Sequence, residues 1–255
     1  MSLSVSRNGP LVEVELRGPH HNAISMAMWR ALTEEFTRFA SDEKIRCVVI
    51  SGANGNFAAG ADIHEFTELR RDLASVRKYH EDVIAPALAA VARCPHPVIA
   101  KIEGFCIGGG LELAACCDMR YASESAQFGV PIARLGFSLA PDEMVALYGL
   151  AGPAVTRELL LEARLLDAQE AYSKGLLTSV VSHAELDLAV EAAVGRVTLG
   201  APLAARLNKR LLWVLARQGL TETERAAAFG YAESDDHREG VAAFLAHRTP
   251  TFRGS

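Results

Sequence analysis

The apolar positions fall into two regimes along the chain. Up to about residue 122, short apolar runs alternate with stretches at helical spacing; from Pro141 onward the helical spacing dominates. Residues 2–6 and 11–16 read as strands flanking Arg7-Asn8-Gly9-Pro10, a hairpin signal. Ser25 then reads as the N-cap of an amphipathic helix that carries Met28, Leu32, Phe36 and Phe39 on one face. A strand over 46–51, a loop of small residues, a helix over about 73–93 and a strand over 97–102 follow. Next come a helix that opens on glycines and a short strand over 119–122. Strands alternating with helices predict an α/β fold with largely parallel pairing.

Later helices are predicted over 141–150, 153–162, 167–174, 184–198, 202–218, 222–233 and 237–247, with 177–181 as the one interrupting strand. No fixed-period repeat or low-complexity linker is visible. The shift of pattern near residue 195 divides the chain into an α/β core, 1–195, and a helical C-terminal region, 196–255. Leu203, Leu207, Leu211 and Leu215 recur at four-residue spacing. A stripe that wide predicts packing both within the chain and between subunits.

Composition narrows the class. At 255 residues the chain is one large domain, or one domain with an appendage, long enough for a substantial core. Half the residues are hydrophobic and 22% are charged, near globular averages. The net charge is −5 with Lys and Arg scattered, which leaves no electrostatic footprint for nucleic acid or an anionic membrane. The run Arg206-Leu-Asn-Lys-Arg210 reads as one solvated helix face. Five cysteines, an odd number and mostly within apolar runs, read as reduced thiols of a cytoplasmic protein. No apolar run approaches the ~20 residues needed to cross a bilayer. Met1-Ser-Leu-Ser has neither signal-peptide nor transit-peptide character. The histidines, including adjacent His20 and His21, lack metal-ligand spacing, so no metal is expected.

The chemistry concentrates in Pro97-Val-Ile-Ala-Lys-Ile-Glu-Gly-Phe-Cys-Ile-Gly-Gly-Gly-Leu-Glu-Leu-Ala-Ala-Cys-Cys-Asp118, a buried strand, a glycine turn and a helix. Gly108 to Gly110 carry no Cβ, so a ligand can approach the backbone amides at the start of that helix. Glu112 follows within the first turn. Amides suited to developing negative charge, beside a carboxylate, fit enolate or acyl chemistry. Neither Gly-x-Gly-x-x-Gly nor a phosphate loop ending in Gly-Lys-Ser/Thr is present. A second strand, Arg46-Cys-Val-Val-Ile-Ser-Gly52, leads to Ala53-Asn-Gly-Asn-Phe-Ala-Ala-Gly-Ala-Asp-Ile-His64, where Ala58 to Ala61 again expose backbone. Two such loops could supply two N–H donors to one oxygen.

Phe57-Ala-Ala-Gly-Ala-Asp-Ile and the Gly-Gly-Gly-Leu-Glu-Leu-Ala segment together resemble the crotonase (enoyl-CoA hydratase/isomerase) superfamily. His21-Asn-Ala-Ile, Ala126-Gln-Phe-Gly and Glu239-Gly-Val-Ala-Ala-Phe-Leu…Arg248 extend the resemblance over almost the whole chain. It implies a spiral of ββα units with a helical C-terminal trimerisation region, and a homotrimer or dimer of trimers. It implies an acyl-CoA substrate, with coenzyme A as part of the substrate and no separate cofactor. The thioester oxygen would lie between the N–H groups of Ala61 and Gly109, with Glu112 handling the proton or activating water. Substrate-binding positions would be Ala23, Ala59, Asp62, Ile63, Gly108 and Ile132. His247 stands where the family usually has a lysine, so Arg248 would take part of the phosphate contact.

The chain departs from the hydratase pattern where a second glutamate is expected twenty residues after Glu112: that position is Ile132, which cannot transfer a proton. Leu139-Ala-Pro-Asp-Glu143 likewise replaces a glycine-rich segment. Pro141, Asp142 and Glu143 read as ordinary helix-start chemistry rather than as a replacement acid. Asp62 reads as a helix cap and His64 as a surface or CoA-facing side chain. The expected function is therefore enoyl-CoA hydratase/isomerase-like with a single glutamate. The alternatives are an acyl-CoA decarboxylase, which needs no second acid, and a non-catalytic acyl-CoA binder. An RNA-binding homologue is disfavoured by the lack of a lysine-rich helix.

Overall fold

The computed structural model describes residues 2–215, 223 and 234–254. The hairpin strands β1 (Ser2–Asn8) and β2 (Leu11–Arg17) pair antiparallel, Asn8 opposite Leu11. β2 then begins a parallel series with β3 (Cys47–Gly52), β4 (Val98–Ile102), β6 (Met119–Ser123) and β9 (Ser179–Val181). β2 alternates, burying Val12, Val14 and Leu16. In β3 the four residues Cys47 to Ile50 are all buried, the mark of a strand covered on both faces.

On one face, Val48 and Ile50 meet the main core and helix α2 (Met26–Ala40), which follows the short turn α1 (Pro19–Asn22). On the other, Cys47 and Val49 meet Leu186 and Val190 of a helix spanning Leu186–Leu199. Helix α2 starts where Ser25 accepts a hydrogen bond from Met28 N and buries Met28, Trp29, Leu32, Phe36 and Phe39. Each such side chain contributes about 1.5–3 kcal/mol of transfer free energy.

A second, smaller sheet holds the site. It comprises β5 (Phe105–Ile107), β7 (Gln127–Gly129) and β8 (Leu166–Asp167), strands of two or three residues that the apolar pattern does not predict. The helix expected over 73–93 is present in three pieces: Leu73–Tyr79, a π-helical turn at His80–Ile84, and Ala85–Arg93. The two helices expected over 141–162 form one run, Pro141–Leu161, broken at Gly152 (φ 69°) before Pro153. Among the described residues this is the one helix long and apolar enough to cross a membrane. It packs instead against the glycine-led helix Gly109–Ala115.

The pattern change near residue 195 falls inside the helix Leu186–Leu199. The helix expected over 222–233 lies, apart from residue 223, outside the described residues. All five cysteines are buried and free, and burial lifts the Cys47 and Cys117 thiols to about 12.

Candidate active site

Two loops are laid side by side by backbone pairing. Ala58 N donates to Phe105 O (2.8 Å), and Ile107 N donates to Ala58 O (3.0 Å), so the first loop joins β5 as a parallel bridge. On the other side Ile24 N donates to Gly60 O (2.8 Å) and Asp62 N to Ile24 O (3.1 Å). That bridge turns the intervening Ala61 N–H away from residue 24, and among the described residues it meets no acceptor. Gly109 N, at the first position of its helix, likewise has none. A Cβ on Gly109 would stand 3.6 Å from Ala61 N, so the two amides are near neighbours. Gly108 makes the turn between them at φ 52°, ψ −123°, a conformation that excludes other residues.

Buried Asn22 holds the first loop from behind, donating to Ala53 O (2.8 Å) and Asn56 O (2.7 Å). It sits at the end of the turn Pro19–Asn22, where His20, His21 and Asn22 all have positive φ.

The amides of Ala61 and Gly109 border a cavity of about 130 Å³ whose lining also includes Glu112, Ile132, Trp29 and Glu143. It opens onto a cleft of about 750 Å³, and Ile63, Arg70, His80 and Phe137 line both. Seven of the nine residues singled out from sequence therefore meet at one place: Ala59, Ala61, Ile63, Gly108, Gly109, Glu112 and Ile132. Ala23 and Asp62 do not line it. Both are buried behind the loop, and Asp62 caps the 3₁₀ turn Ile63–Glu65 by accepting from His64 N (3.0 Å).

The largest correction concerns Glu143. As a helix-start acid it should face water, as its neighbour Asp142 does. Instead its side chain is only 3% exposed and turns into the cavity that holds Glu112. His80 Nδ1 donates to Glu143 Oε1 at 2.6 Å. The π-helical turn is what places His80 there, since the wider turn redirects one side chain of an otherwise α-helical run. Burial pushes the Glu112 carboxyl well above its ordinary value; the Glu143 charge adds to that, and Arg70 opposes it. Two carboxylates thus share one cavity, one of them held toward its neutral form.

Sequence reading also missed Arg70, His80 and Trp29. A partial signal existed for Glu143, an acid one turn into a helix that begins beside the cavity loops. None existed for His80 or Arg70.

At the C-terminal end, Arg248 grips Glu239 through two hydrogen bonds (2.6 and 2.8 Å), which lowers the Glu239 carboxyl to about 2. The guanidinium edge expected to meet CoA is engaged within the chain.

The chain is similar to known proteins over nearly its whole length. The sequence model of the enoyl-CoA hydratase/isomerase family matches residues 6–255. Carnitinyl-CoA dehydratase of Salmonella typhi is 31% identical over 263 residues, covering 99% of this chain and 98% of its own length. A crystal structure of an enoyl-CoA hydratase/carnithine racemase from Magnetospirillum magneticum superimposes with a TM-score of 0.96 at 40% identity, covering 99% and 96% of the two chains. Enoyl-CoA hydratase from Bacillus anthracis gives 0.91 at 30% identity over 100% of both. The paired sheets and helical C-terminal region are those of the crotonase fold. The chain belongs to the enoyl-CoA hydratase/isomerase family, whose members act on acyl-CoA substrates.

Proposed function

We propose that this protein adds water to, and removes water from, acyl-CoA thioesters, using Glu112 and Glu143 as its carboxyl pair. The observation that carries this reading is the burial of both carboxyls in one cavity with the unpaired amides of Ala61 and Gly109.

In hydration the thioester oxygen sits between the two amides, which receive the negative charge of the enolate. Glu143, positioned by His80, takes a proton as water oxygen bonds to Cβ. Glu112, held toward its neutral form, delivers its proton to Cα. Dehydration is the reverse: Glu112 removes the Cα proton and Glu143 protonates the departing hydroxyl. Ile132 is 8% exposed and forms an apolar wall of the same cavity. The second carboxyl then comes from residue 143 rather than from position 132.

A decarboxylase needs no second acid, and a passive binder needs neither. Two buried carboxyls cost stability, which favours the reading that uses both. The name of the Salmonella relative, a dehydratase, points the same way. The test is a panel of enoyl-, 3-hydroxyacyl- and malonyl-type CoA thioesters. Enoyl absorbance should fall with the first and rise with the second, with no CO₂ from the third. CO₂ release as the main turnover, or binding of all three without turnover, would overturn the proposal.

The assembly we infer is a trimer or dimer of trimers. In the helix Pro202–Leu215 only Pro202 is buried, and Leu212 and Leu215 are 68% and 55% exposed. Light scattering at micromolar concentration should give a mass of three or six chains; a stable monomer would refute it.

A further inference from the structure

We propose that Arg70 reads a carboxylate at the far end of the acyl group, so that the preferred thioesters are those of short dicarboxylic acids. This rests on the acyl-CoA reading above and adds the substrate class.

The guanidinium of Arg70 packs against two aromatic rings that meet edge to face, their planes 76° apart. Its Cζ lies 3.8 Å from the centroid of the Phe66 ring and 4.2 Å from that of Phe137. Neither ring supplies an in-plane hydrogen-bond acceptor, so the planar N–H fork, matched to a carboxylate, is left to be filled. No carboxylate among the described residues fills it. Arg70 makes no ion pair among the described residues, and its Nε is buried with no hydrogen-bond acceptor. Among the described residues Arg164, by contrast, pairs with Glu158 and Glu170, and Arg248 with Glu239. Glu112 and Glu143 are near enough to act on the Arg70 charge yet stay outside ion-pair distance, and Glu143 is engaged by His80. A half-buried guanidinium whose buried Nε has no acceptor is costly unless a ligand completes it.

Its location selects the ligand. Arg70 lines both the 130 Å³ inner cavity and the wider cleft, so it stands where one opens into the other. At about 30 Å³ per water-sized group, the inner cavity takes an acyl segment of about four carbons, the thioester carbon included, as in a butyryl group. A carboxylate on the next atom would arrive at the Arg70 edge. A terminal cation, such as the trimethylammonium of a carnitinyl group, would arrive at the same place and be repelled.

The fork could instead serve a phosphate of coenzyme A, and binding measurements separate the two sources. Calorimetry on the full-length protein would compare CoA alone, butyryl-CoA and glutaryl-CoA, all saturated and unable to turn over. Glutaryl-CoA should bind about ten- to a hundredfold tighter than butyryl-CoA, the worth of a hydrogen-bonded charge pair. Arg70→Met, which keeps bulk against the two rings, should erase that preference while leaving CoA and butyryl-CoA affinities within about threefold. Arg70→Lys should restore only part of it, since an ammonium offers no fork.

Equal affinities for the two thioesters in the unaltered protein would overturn the proposal. So would a Met variant, folded by circular dichroism, that loses affinity for CoA alone as much as for glutaryl-CoA. Because these ligands are inert, a failed hydration assay leaves this test intact, and a failed preference leaves hydration intact.

Discussion

Glu112→Gln should abolish most turnover and at the same time make the fold more stable. The activity loss follows from the role: removing a positioned proton donor costs about 10²–10⁴ in kcat. The stability gain follows from burial. The folded-state carboxyl titrates well above its ordinary value, while the unfolded chain keeps that ordinary value. Between those two values the folded state holds a proton that the unfolded state has released, so stability falls as pH rises, by up to about 1.4 kcal/mol per pH unit. Glutamine has no proton to lose, so the variant's advantage should widen from about pH 5 upward and level off above the folded-state value.

Glu143→Gln separates the two carboxyls. Its amide oxygen can still accept from His80 Nδ1, so the placement survives while the proton acceptor is gone. A similar fall in kcat is expected. Removal of the neighbouring charge should also let Glu112 titrate at lower pH, followed by carboxyl infrared or NMR signals. Denaturant titrations at pH 5, 7 and 8, with hydration rates on the same samples, decide both claims. Full activity in Glu143→Gln would leave the site with one working acid and return the chemistry to the single-glutamate reading.

What the sequence disclosed and what it hid divide along one physical line. Features written in contiguous residues were legible. Long apolar runs marked β3 and β4, the spacing of Met28, Leu32, Phe36 and Phe39 marked α2, and the glycines marked the turn before Glu112. The short strands β5, β7 and β8 exist because they pair with one another and with Ala58, not because three residues favour extension by themselves. The same holds for the site. Two donor loops were legible because each is written in contiguous residues, and the resemblance to the crotonase superfamily implied Ala61 and Gly109 within them.

Glu143 could not be told from Asp142, since both stand in the first turn after Pro141. Only the docking of that helix against Gly109–Ala115 turns one inward and the other to solvent. His80 depended on a single π-helical turn inside an otherwise regular helix, and Arg70 on two phenylalanines 71 residues apart in sequence (137 − 66). The substitution at Ile132 read as the loss of an acid. The structure turns a buried carboxyl, Glu143, into the same cavity from the next helix, a placement that local pattern does not encode.

The approach of the two loops sets the second large effect, expected for Gly110→Ala. A Cβ on Gly110 would stand 2.4 Å from the carbonyl oxygen of Ala58 and 3.0 Å from its Cβ. Neither is the end of a flexible side chain. The Ala58 carbonyl is also fixed by accepting from Ile107 N, so it cannot swing aside without breaking the bridge to β5. The start of the helix must therefore back away, carrying Gly109 N with it, while Ala61 stays anchored to Ile24.

A displacement of about 1 Å between two donors that must meet one oxygen costs about 10²-fold in rate. The forced overpacking should destabilise the fold by about 1–3 kcal/mol. Gly149→Ala provides the contrast. It lies within the helix Pro141–Leu161, and a Cβ there meets nothing within 4 Å. That change should raise stability by about 0.5–1 kcal/mol with hydration unaffected. If Gly110→Ala turned over substrate at the unaltered rate, the two amides could not be acting as a matched pair. Catalysis would then have to rest on the carboxyls alone.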